Sequence, residues 1–288
     1  MSKQQTALRA NANLLSGEKL YLERARITLP YLVRQAKAEQ PIYYSSLAEE
    51  IGIDNPRNLN YILGSIGNAL IQLGKKEKIE IPPIQCLVIN KAQDLPGEGI
   101  EWFISNKAFN KLSKTQKRKI VDSELAKIYS FNRWDWVLGK LGLHPIDSNI
   151  ESILLKARQG NLGGESKNHK NFKKFICENP QVLGLNKSFS TGTEEYKLPS
   201  ADAIDVLFIS KKMKVGVEVK SHISDVSDIL RGIFQCVKYK ALIEAEQKIK
   251  QEFLNTRVIL ALQGSLPQEL VLIKNILGVE VLDNIEIM

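Results

Sequence analysis

Residues Asp205–Lys220 read DVLFISKKMKVGVEVK, and this stretch decides the fold of the second half of the chain. An apolar run follows Asp205, a turn at Lys211 and Lys212 interrupts it, and a second apolar run ends in Glu218 and Lys220. Side chains alternate across a strand, so Glu218 and Lys220 share one face of the second strand. The stretch therefore predicts two neighbouring strands whose polar residues meet near one edge of a sheet.

Asp205, Glu218 and Lys220 are the residue types that metal-dependent phosphodiester hydrolysis uses. Carboxylates bind Mg²⁺, which prefers oxygen ligands, and a lysine can stabilise charge or position water. The spacing of an aspartate, 12 residues and Glu-x-Lys resembles the PD-(D/E)xK nuclease superfamily, with Ile204 in place of the motif's proline. The resemblance runs from about Gly164 to the C-terminus. It implies a restriction-endonuclease-like α/β core, a mixed central sheet flanked by helices, and Mg²⁺ or Mn²⁺ held by the two carboxylates.

A helix predicted after these strands, over residues 226–250, carries further candidates. Gln235 and Tyr239 lie at positions i and i+4 of this helix. The pair resembles the QxxxY motif of RecB-like members of the superfamily, which implies that Gln235 orients the attacking water or contacts DNA. Arg231 lies one turn before Gln235 and is a candidate phosphate contact. Tyr239 is a further candidate for contact with DNA.

A helix predicted over 164–178 supplies a candidate third ligand. Glu165 fits the glutamate that superfamily members often carry on their first helix, although a helix dipole alone also favours an acid there. His169 shares its face and is a base, a phosphate contact or a surface histidine. Asp202 competes with Asp205 as a metal ligand, and Asp205 is preferred because it leads directly into the apolar strand.

The remaining segments of the second half are predicted to complete the same α/β core. Proline opens the last predicted helix and glycine ends it, which is the usual asymmetry of helix ends. The predicted order is strands near 196–198, 204–209 and 215–220, helix 226–250, strand 257–262, helix 267–278 and strand 279–283.

Residues 43–74 carry the pattern of a helix-turn-helix. A short apolar helix is followed by a turn at 52–55, and Pro56 then starts a longer helix with a regular apolar face. A predicted strand over 84–90, a wing loop over 91–99 and a second apolar run would complete a winged helix. The candidate DNA contacts are Arg57, Asn58 and Asn60 on the second helix and Lys91 in the wing.

The motifs Y-xx-LA-xx-IG, PRN and IPPIxxLVI of this first half resemble the DNA-binding domain of O6-alkylguanine alkyltransferases and alkyltransferase-like proteins. The resemblance implies DNA binding and sensing of a base or of DNA shape. If Pro83 takes the family's proline, Ile84 stands at the alkyl-acceptor position, which argues against alkyl transfer. Gln85 and Cys86 take the next two positions, and Cys86 is predicted to be a core residue. A winged helix that contacts protein is the alternative.

Length and composition agree with a two-part, DNA-binding chain. The chain has 288 residues, 43% of them hydrophobic, and a net charge of +8, which favours a polyanionic partner. Three scattered cysteines give neither a zinc-finger spacing nor a disulfide framework, which indicates a reducing cytoplasm. No run of about 18 apolar residues predicts a membrane span. The predicted divisions are an N-terminal arm (1–20), a winged helix (21–110), a helical linker (111–150) and a nuclease domain (151–288).

The sequence therefore predicts a Mg²⁺-dependent endonuclease that acts on double-stranded DNA. A reader domain fused to such a nuclease is typical of prokaryotic restriction or phage defence, and dependence on a base modification or lesion is the narrower form of this hypothesis. One active site cuts one strand, so a double-strand cut needs two events or a homodimer. The alternatives are a repair or recombination nuclease for branched or damaged DNA, and a non-catalytic DNA-binding regulator.

Overall fold

The computed structural model describes residues 13–91, 93–104, 109–146, 166–252 and 254–287. Most of the predicted N-terminal arm and the predicted ligand Glu165 lie outside these residues. The chain divides into two compact units, Met1–Ser148 and Asn149–Met288. No helix within the described ranges is both long and apolar enough to cross a membrane.

The first unit contains five α-helices and three short strands among its described residues. They are α1 (Leu20–Lys37), β1 (Ile42–Tyr43), α2 (Tyr44–Glu50), α3 (Leu59–Glu77), β2 (Val88–Asn90), β3 (Leu95–Pro96), α4 (Lys114–Ser130) and α5 (Trp134–Lys140). Strand β2 lies in the middle of the sheet, parallel to β1 and antiparallel to β3. The apolar faces of α1 and α3 pack into one core, which also takes buried side chains from α4 and α5 within the predicted linker.

The predicted strand over 84–90 is wrong in its first half. Residues Ile84–Leu87 form a 3₁₀ turn, and only Val88–Asn90 is extended. The turn follows two consecutive prolines, which have no N–H to donate to a sheet. The amide of Cys86 instead donates to the carbonyl of Pro83 at 2.9 Å, and Cys86 is fully buried.

The start of the long helix and the second apolar run of the predicted winged helix also differ from expectation. Pro56–Asn58 forms a 3₁₀ turn, and α3 begins at Leu59. Strand β3 lies inside the predicted wing loop, and the apolar run after it is a 3₁₀ turn, Glu98–Trp102, rather than a strand.

The second unit has three helices and five strands in its described part. They are α6 (Lys167–Glu178), β4 (Thr193–Lys197), β5 (Ala203–Ile209), β6 (Met213–Lys220), α7 (Val226–Lys250), β7 (Asn255–Leu262), α8 (Gln268–Ile276) and β8 (Glu280–Leu282). The strand order is β4-β5-β6-β7-β8, antiparallel from β4 to β6 and parallel from β6 to β8. The predicted mixed sheet flanked by helices is thus confirmed at the level of a mixed α/β architecture.

Two buried clusters cover the two faces of this sheet. Alternate residues of β6, namely Val215, Val217 and Val219, pack on the side of α6. The opposite face packs against α7 and α8. Glu218 and Lys220 alternate with the valines, so β6 directs them towards α7.

Candidate functional site

Asp205 lies just beyond the last described backbone pair between β5 and β6, and its side chain contacts the backbone of β6 there. The described pairing of the two strands ends at Val206 opposite Val217. Beyond it, the amide of Val219 donates to Asp205 Oδ2 at 2.8 Å. Asp205 Oδ1 lies 3.7 Å from Nε2 of His169 on α6. The carboxylate is therefore fixed by the backbone of β6 on one side and faces an imidazole on the other.

Glu218 and Lys220 form a buried pair on β6, with 3% and 7% of their surfaces exposed. The Lys220 ammonium lies 3.1 Å from Glu218 Oε1 and donates to Asp228 Oδ1 on α7 at 3.0 Å. Glu218 Oε2 is buried and finds no hydrogen-bond donor in the part of the chain that the structure describes. One oxygen of this carboxylate is thus paired and the other is available to a cation.

The charges of this cluster act strongly on one another because water is excluded. Burial and the negative charge of Asp205 raise the pKa of Glu218 to about 8, and the ammonium of Lys220 offsets only part of that rise. Burial lowers the pKa of Lys220, but Glu218 and Asp228 outweigh it and leave the pKa raised. Burial raises the pKa of Asp228, and Lys220 more than reverses this. Near neutral pH Lys220 is charged, and Glu218 still holds its proton for much of the time.

Gln235 and Tyr239 lie beside these groups on α7. The Gln235 amide donates to the Tyr239 hydroxyl at 3.3 Å, and that hydroxyl donates to the carbonyl of Ala203 at 2.9 Å. Burial, followed by the charge of Glu218, raises the pKa of the Tyr239 phenol. Gln235 Oε1 is buried and has no partner among the described residues. A second unpaired acceptor therefore lies on the helix that covers Glu218.

Two residues that sequence reasoning missed hold Lys220 in place. The Asp228 carboxylate accepts a hydrogen bond from the Lys220 ammonium. Arg231, the predicted phosphate contact, lies 3.7 Å from the same Asp228 oxygen and so already has a carboxylate neighbour. Gly232 lets α7 approach Lys220, since a Cβ built there would lie 2.9 Å from Lys220 Cε and 2.8 Å from Leu260 Cδ1. Asp228 lies three residues after Asp225, which caps the helix, so in sequence the two acids suggest only a helix cap. Nothing in that pattern indicates the bond from Lys220 to Asp228.

Replacing Gly232 with alanine is expected to displace Lys220. Alanine favours a helix interior by about 1 kcal/mol over glycine, but two contacts below 3 Å must be relieved. We expect a net loss of about 1–2 kcal/mol of folding free energy, measured by urea denaturation. Gly139→Ala is the matched control, because a Cβ at this other helical glycine meets nothing within 4 Å. Equal effects of the two substitutions would contradict the proposed close approach.

The competing acid Asp202 has its own partners. Lys238 donates to its Oδ1 at 2.5 Å and Ser200 to its Oδ2 at 2.8 Å, and these bonds lower its pKa. Of the two competing aspartates, Asp205 is the one whose negative charge acts on Glu218. The described part of the first helix of this unit begins at Lys167, capped by Ser166, whose hydroxyl accepts from the His169 amide at 3.1 Å. The prediction that Glu165 completes the site falls outside the described residues.

The carboxylates of this cluster are candidates to hold a divalent cation. No group of three or more His, Cys, Asp or Glu side chains in the described ranges is arranged to hold a metal ion. Mg²⁺ is commonly held by one or two carboxylates, with waters and substrate phosphates as the other ligands. Asp205 and Glu218 supply two carboxylates, and the unpaired Oε2 of Glu218 suits a cation. The donor set fits Mg²⁺ or Mn²⁺ in this limited sense.

The DNA-contact candidates of the first unit lie at the start of α3 and next to the β2–β3 turn. Arg57 and Asn58 are exposed in the 3₁₀ turn, and the Arg57 amide donates to the side chain of Asn55 at 3.0 Å. Asn60 is half-buried in the first turn of α3, and Lys91 is exposed after β2. All four belong to one unit, and two of them, Arg57 and Asn60, line the same cavity.

Comparisons of the chain with models of protein families, with curated proteins and with solved structures find no match.

Proposed function

We propose that this chain is a Mg²⁺-dependent DNA endonuclease whose site lies in the second unit, around Asp205, Glu218 and Lys220. The observation that carries the proposal is the buried Glu218–Lys220 pair beside Asp205, with one oxygen of Glu218 unpaired. An unpaired buried acceptor costs folding free energy. A cation bound at Glu218 Oε2, beside the negative charge of Asp205, would offset that cost.

The roles of the side chains follow from their positions. Asp205 and Glu218 would hold the metal, which when bound supplies charge stabilisation for in-line displacement at phosphorus and an activated water. Lys220 keeps its proton and so offers a positive charge to the phosphate. Asp228 positions Lys220, and the unpaired Oε1 of Gln235 can accept a hydrogen bond from water. These roles match those implied by the resemblance to PD-(D/E)xK nucleases with a restriction-endonuclease-like core.

The first unit supports the DNA-reading half of the proposal. Its order of elements, α1-β1-α2-α3-β2-β3, supports the proposed winged helix, with Arg57, Asn58 and Asn60 near the start of the long helix and Lys91 beside the turn. The net charge of +8 favours a phosphate backbone as partner. We propose a restriction or phage-defence role in a prokaryotic cytoplasm, with dependence on a modified base as its narrower form.

Cleavage of supercoiled plasmid DNA in Mg²⁺ tests the proposal. The wild type is expected to nick or linearise the plasmid, and Asp205→Ala and Lys220→Ala are expected to lower the rate by about a hundredfold or more. Asp202→Ala is the matched control, because Asp202 is a half-buried acid three residues before Asp205 that pairs with Lys238. Its rate should remain within about twofold of the wild type.

Equal nicking by the wild type and both site variants would end the nuclease hypothesis, because it would trace the activity to a contaminant. Metal-independent DNA binding without cleavage of plain, modified or branched DNA would favour a non-catalytic regulator. Selective cleavage of branched or damaged DNA would favour repair or recombination over defence.

A further inference from the structure

The carboxyl ends of β6 and β7 lie side by side, because the two strands are parallel and pair as far as Lys220 opposite Leu262. The chain therefore leaves both strands at one edge of the sheet, and ligands of open α/β sheets bind outside the carboxyl ends of parallel strands. His222 follows β6 by two residues, and Gln263 follows β7 directly. Neither residue has a role in the site described above.

Gln263 fixes the position of the proton on the His222 ring. The backbone amide of His222 lies 3.1 Å from Gln263 Oε1, and ring Nδ1 lies 2.9 Å from the same atom. A backbone N–H can only donate, so the carboxamide atom that faces it must be the oxygen rather than the NH₂ group. That oxygen can only accept, so Nδ1 carries the proton of the neutral ring. Nε2 is left with a free electron pair.

The ring of His222 is exposed, yet it is held in one orientation. Nε2 has no hydrogen-bond or ion-pair partner among the described residues, so it is open to a ligand. The acceptor that holds the ring is itself fixed, because the Gln263 amide donates to the carbonyl of Lys220 at 3.0 Å. Beyond it, the carbonyl of Gly264 accepts from the amide of Asn284 at 3.0 Å. Two residues span at most about 7 Å, so His222 lies next to Lys220, the proposed phosphate contact.

We infer that His222 is the general base of the site and that Gln263 is the positioning residue that orients it. The inference rests on the proposed phosphodiester hydrolysis and deepens it. A histidine base whose second nitrogen donates to a third side chain is the arrangement that activates nucleophiles in unrelated hydrolases. Gln263 Oε1 also stabilises the imidazolium as it forms, because it accepts from Nδ1–H.

The step assigned to His222 is the removal of a proton from the attacking water. The water oxygen forms a bond to phosphorus, and the bond from phosphorus to the leaving oxygen breaks. One proton of the water passes to Nε2, and solvent protonates the leaving oxygen. The imidazolium then returns its proton to solvent, so the reaction consumes only water. Lys220 stays protonated and offers its charge to the phosphate.

Single-turnover cleavage of supercoiled plasmid DNA by the full chain in Mg²⁺ tests the inference. His222→Ala should lower the cleavage rate at least about a hundredfold, since general bases contribute on the order of 10²–10⁴. Its affinity for the plasmid, measured by gel shift, should stay within about twofold of the wild type. Free imidazole, added at constant pH and ionic strength, should raise the rate of His222→Ala at least about tenfold, because it can accept the same proton. A merely structural histidine would show no such rescue.

Gln263 and a second exposed histidine supply the comparison variants. Gln263→Leu should lower the rate at least about tenfold, because the ring loses the acceptor that fixes its tautomer. Gln263→Glu should cleave at a rate close to that of the wild type, because a carboxylate oxygen accepts the same two hydrogen bonds. His144→Ala is the matched control, because His144 is an exposed histidine of the first unit, and its rate should stay within about twofold of the wild type.

Circular dichroism verifies folding, and His222→Asn, whose amide can still donate to Gln263, replaces His222→Ala if the alanine variant does not fold. Cleavage that persists in the His222 variant but is lost in Asp205→Ala overturns the inference and leaves the proposed function standing. A loss that imidazole does not restore, or an equal loss in His144→Ala, also overturns it. Absence of cleavage by the wild type overturns both proposals.

Discussion

Replacing Glu218 with glutamine is expected to make the protein more stable in mildly alkaline solution while it abolishes cleavage. In the unfolded chain this carboxyl ionises near its ordinary pKa of 4.5, whereas in the folded protein it does so only near 8. Between these values the folded state binds more protons than the unfolded state, so stability falls as the pH rises. Below about 4.5 the contribution is fully present, and above about 8 it is lost.

The expected size follows from about 1.4 kcal/mol for each pH unit across that window, or on the order of 5 kcal/mol in total for the Glu218 carboxyl. Glutamine cannot ionise, so Glu218→Gln should lack this fall, and its advantage over the wild type should grow with pH. Urea denaturation at several pH values measures the difference. A variant whose stability declines with pH as steeply as that of the wild type would refute the raised pKa.

Glu246 provides the matched control, since it is another buried glutamate of the same unit with the opposite electrostatics. Burial raises its pKa, but Lys250 and Lys214, with a hydrogen bond from Tyr196, more than reverse this. Its ionised form therefore stabilises the fold above its ordinary pKa, and the contribution is lost as the pH falls. Glu246→Gln should destabilise the protein near neutral pH. Opposite signs for the two substitutions would separate a ligand-binding carboxylate from a structural one.

The second unit was largely predictable because its elements are set by local patterns. Helix α7 was predicted with its observed bounds, 226–250, because apolar residues recur there at helical spacing. The β5–turn–β6 segment was predictable from two apolar runs joined by Lys211 and Lys212. Where the pattern was ambiguous, as in the apolar run after the two prolines at 82–83, the prediction of a full strand was wrong.

Contacts between elements were beyond what the sequence could predict. The bond from Lys220 to Asp228 joins the end of a strand to the first turn of the next helix, and no periodicity encodes it. The Gln85 side chain packs against Gly67, which lies 18 positions earlier in the chain. It has room there because Gly67 has no side chain. In sequence, Gln85 belonged to an apolar segment beside Cys86, and nothing there indicated a buried amide without a hydrogen-bond partner among the described residues.

Metal binding to the second unit is expected to release protons and to strengthen as the pH rises. Below about 8, a cation that uses the Glu218 carboxylate must displace its proton, because burial and Asp205 hold that proton on the folded protein. The observed affinity for Mg²⁺ or Mn²⁺ should therefore rise up to about tenfold for each pH unit below that value and level off above it. Lys220, with its raised pKa, keeps its charge throughout and adds no pH dependence in this range.

Isothermal titration with Mn²⁺ in two buffers of different ionisation enthalpy, near neutral pH, measures the protons released per ion. We expect a value approaching one for the wild type and close to zero for Glu218→Gln, which should bind the ion weakly and without pH dependence. Asp202→Ala should behave as the wild type, because Asp202 is engaged by Lys238 and Ser200. Tight Mn²⁺ binding with no proton release would place the ion away from Glu218. Proton release that persists in Glu218→Gln would assign the titrating group to another residue. Either result would remove Glu218 from the metal site, and urea denaturation would still test its effect on stability.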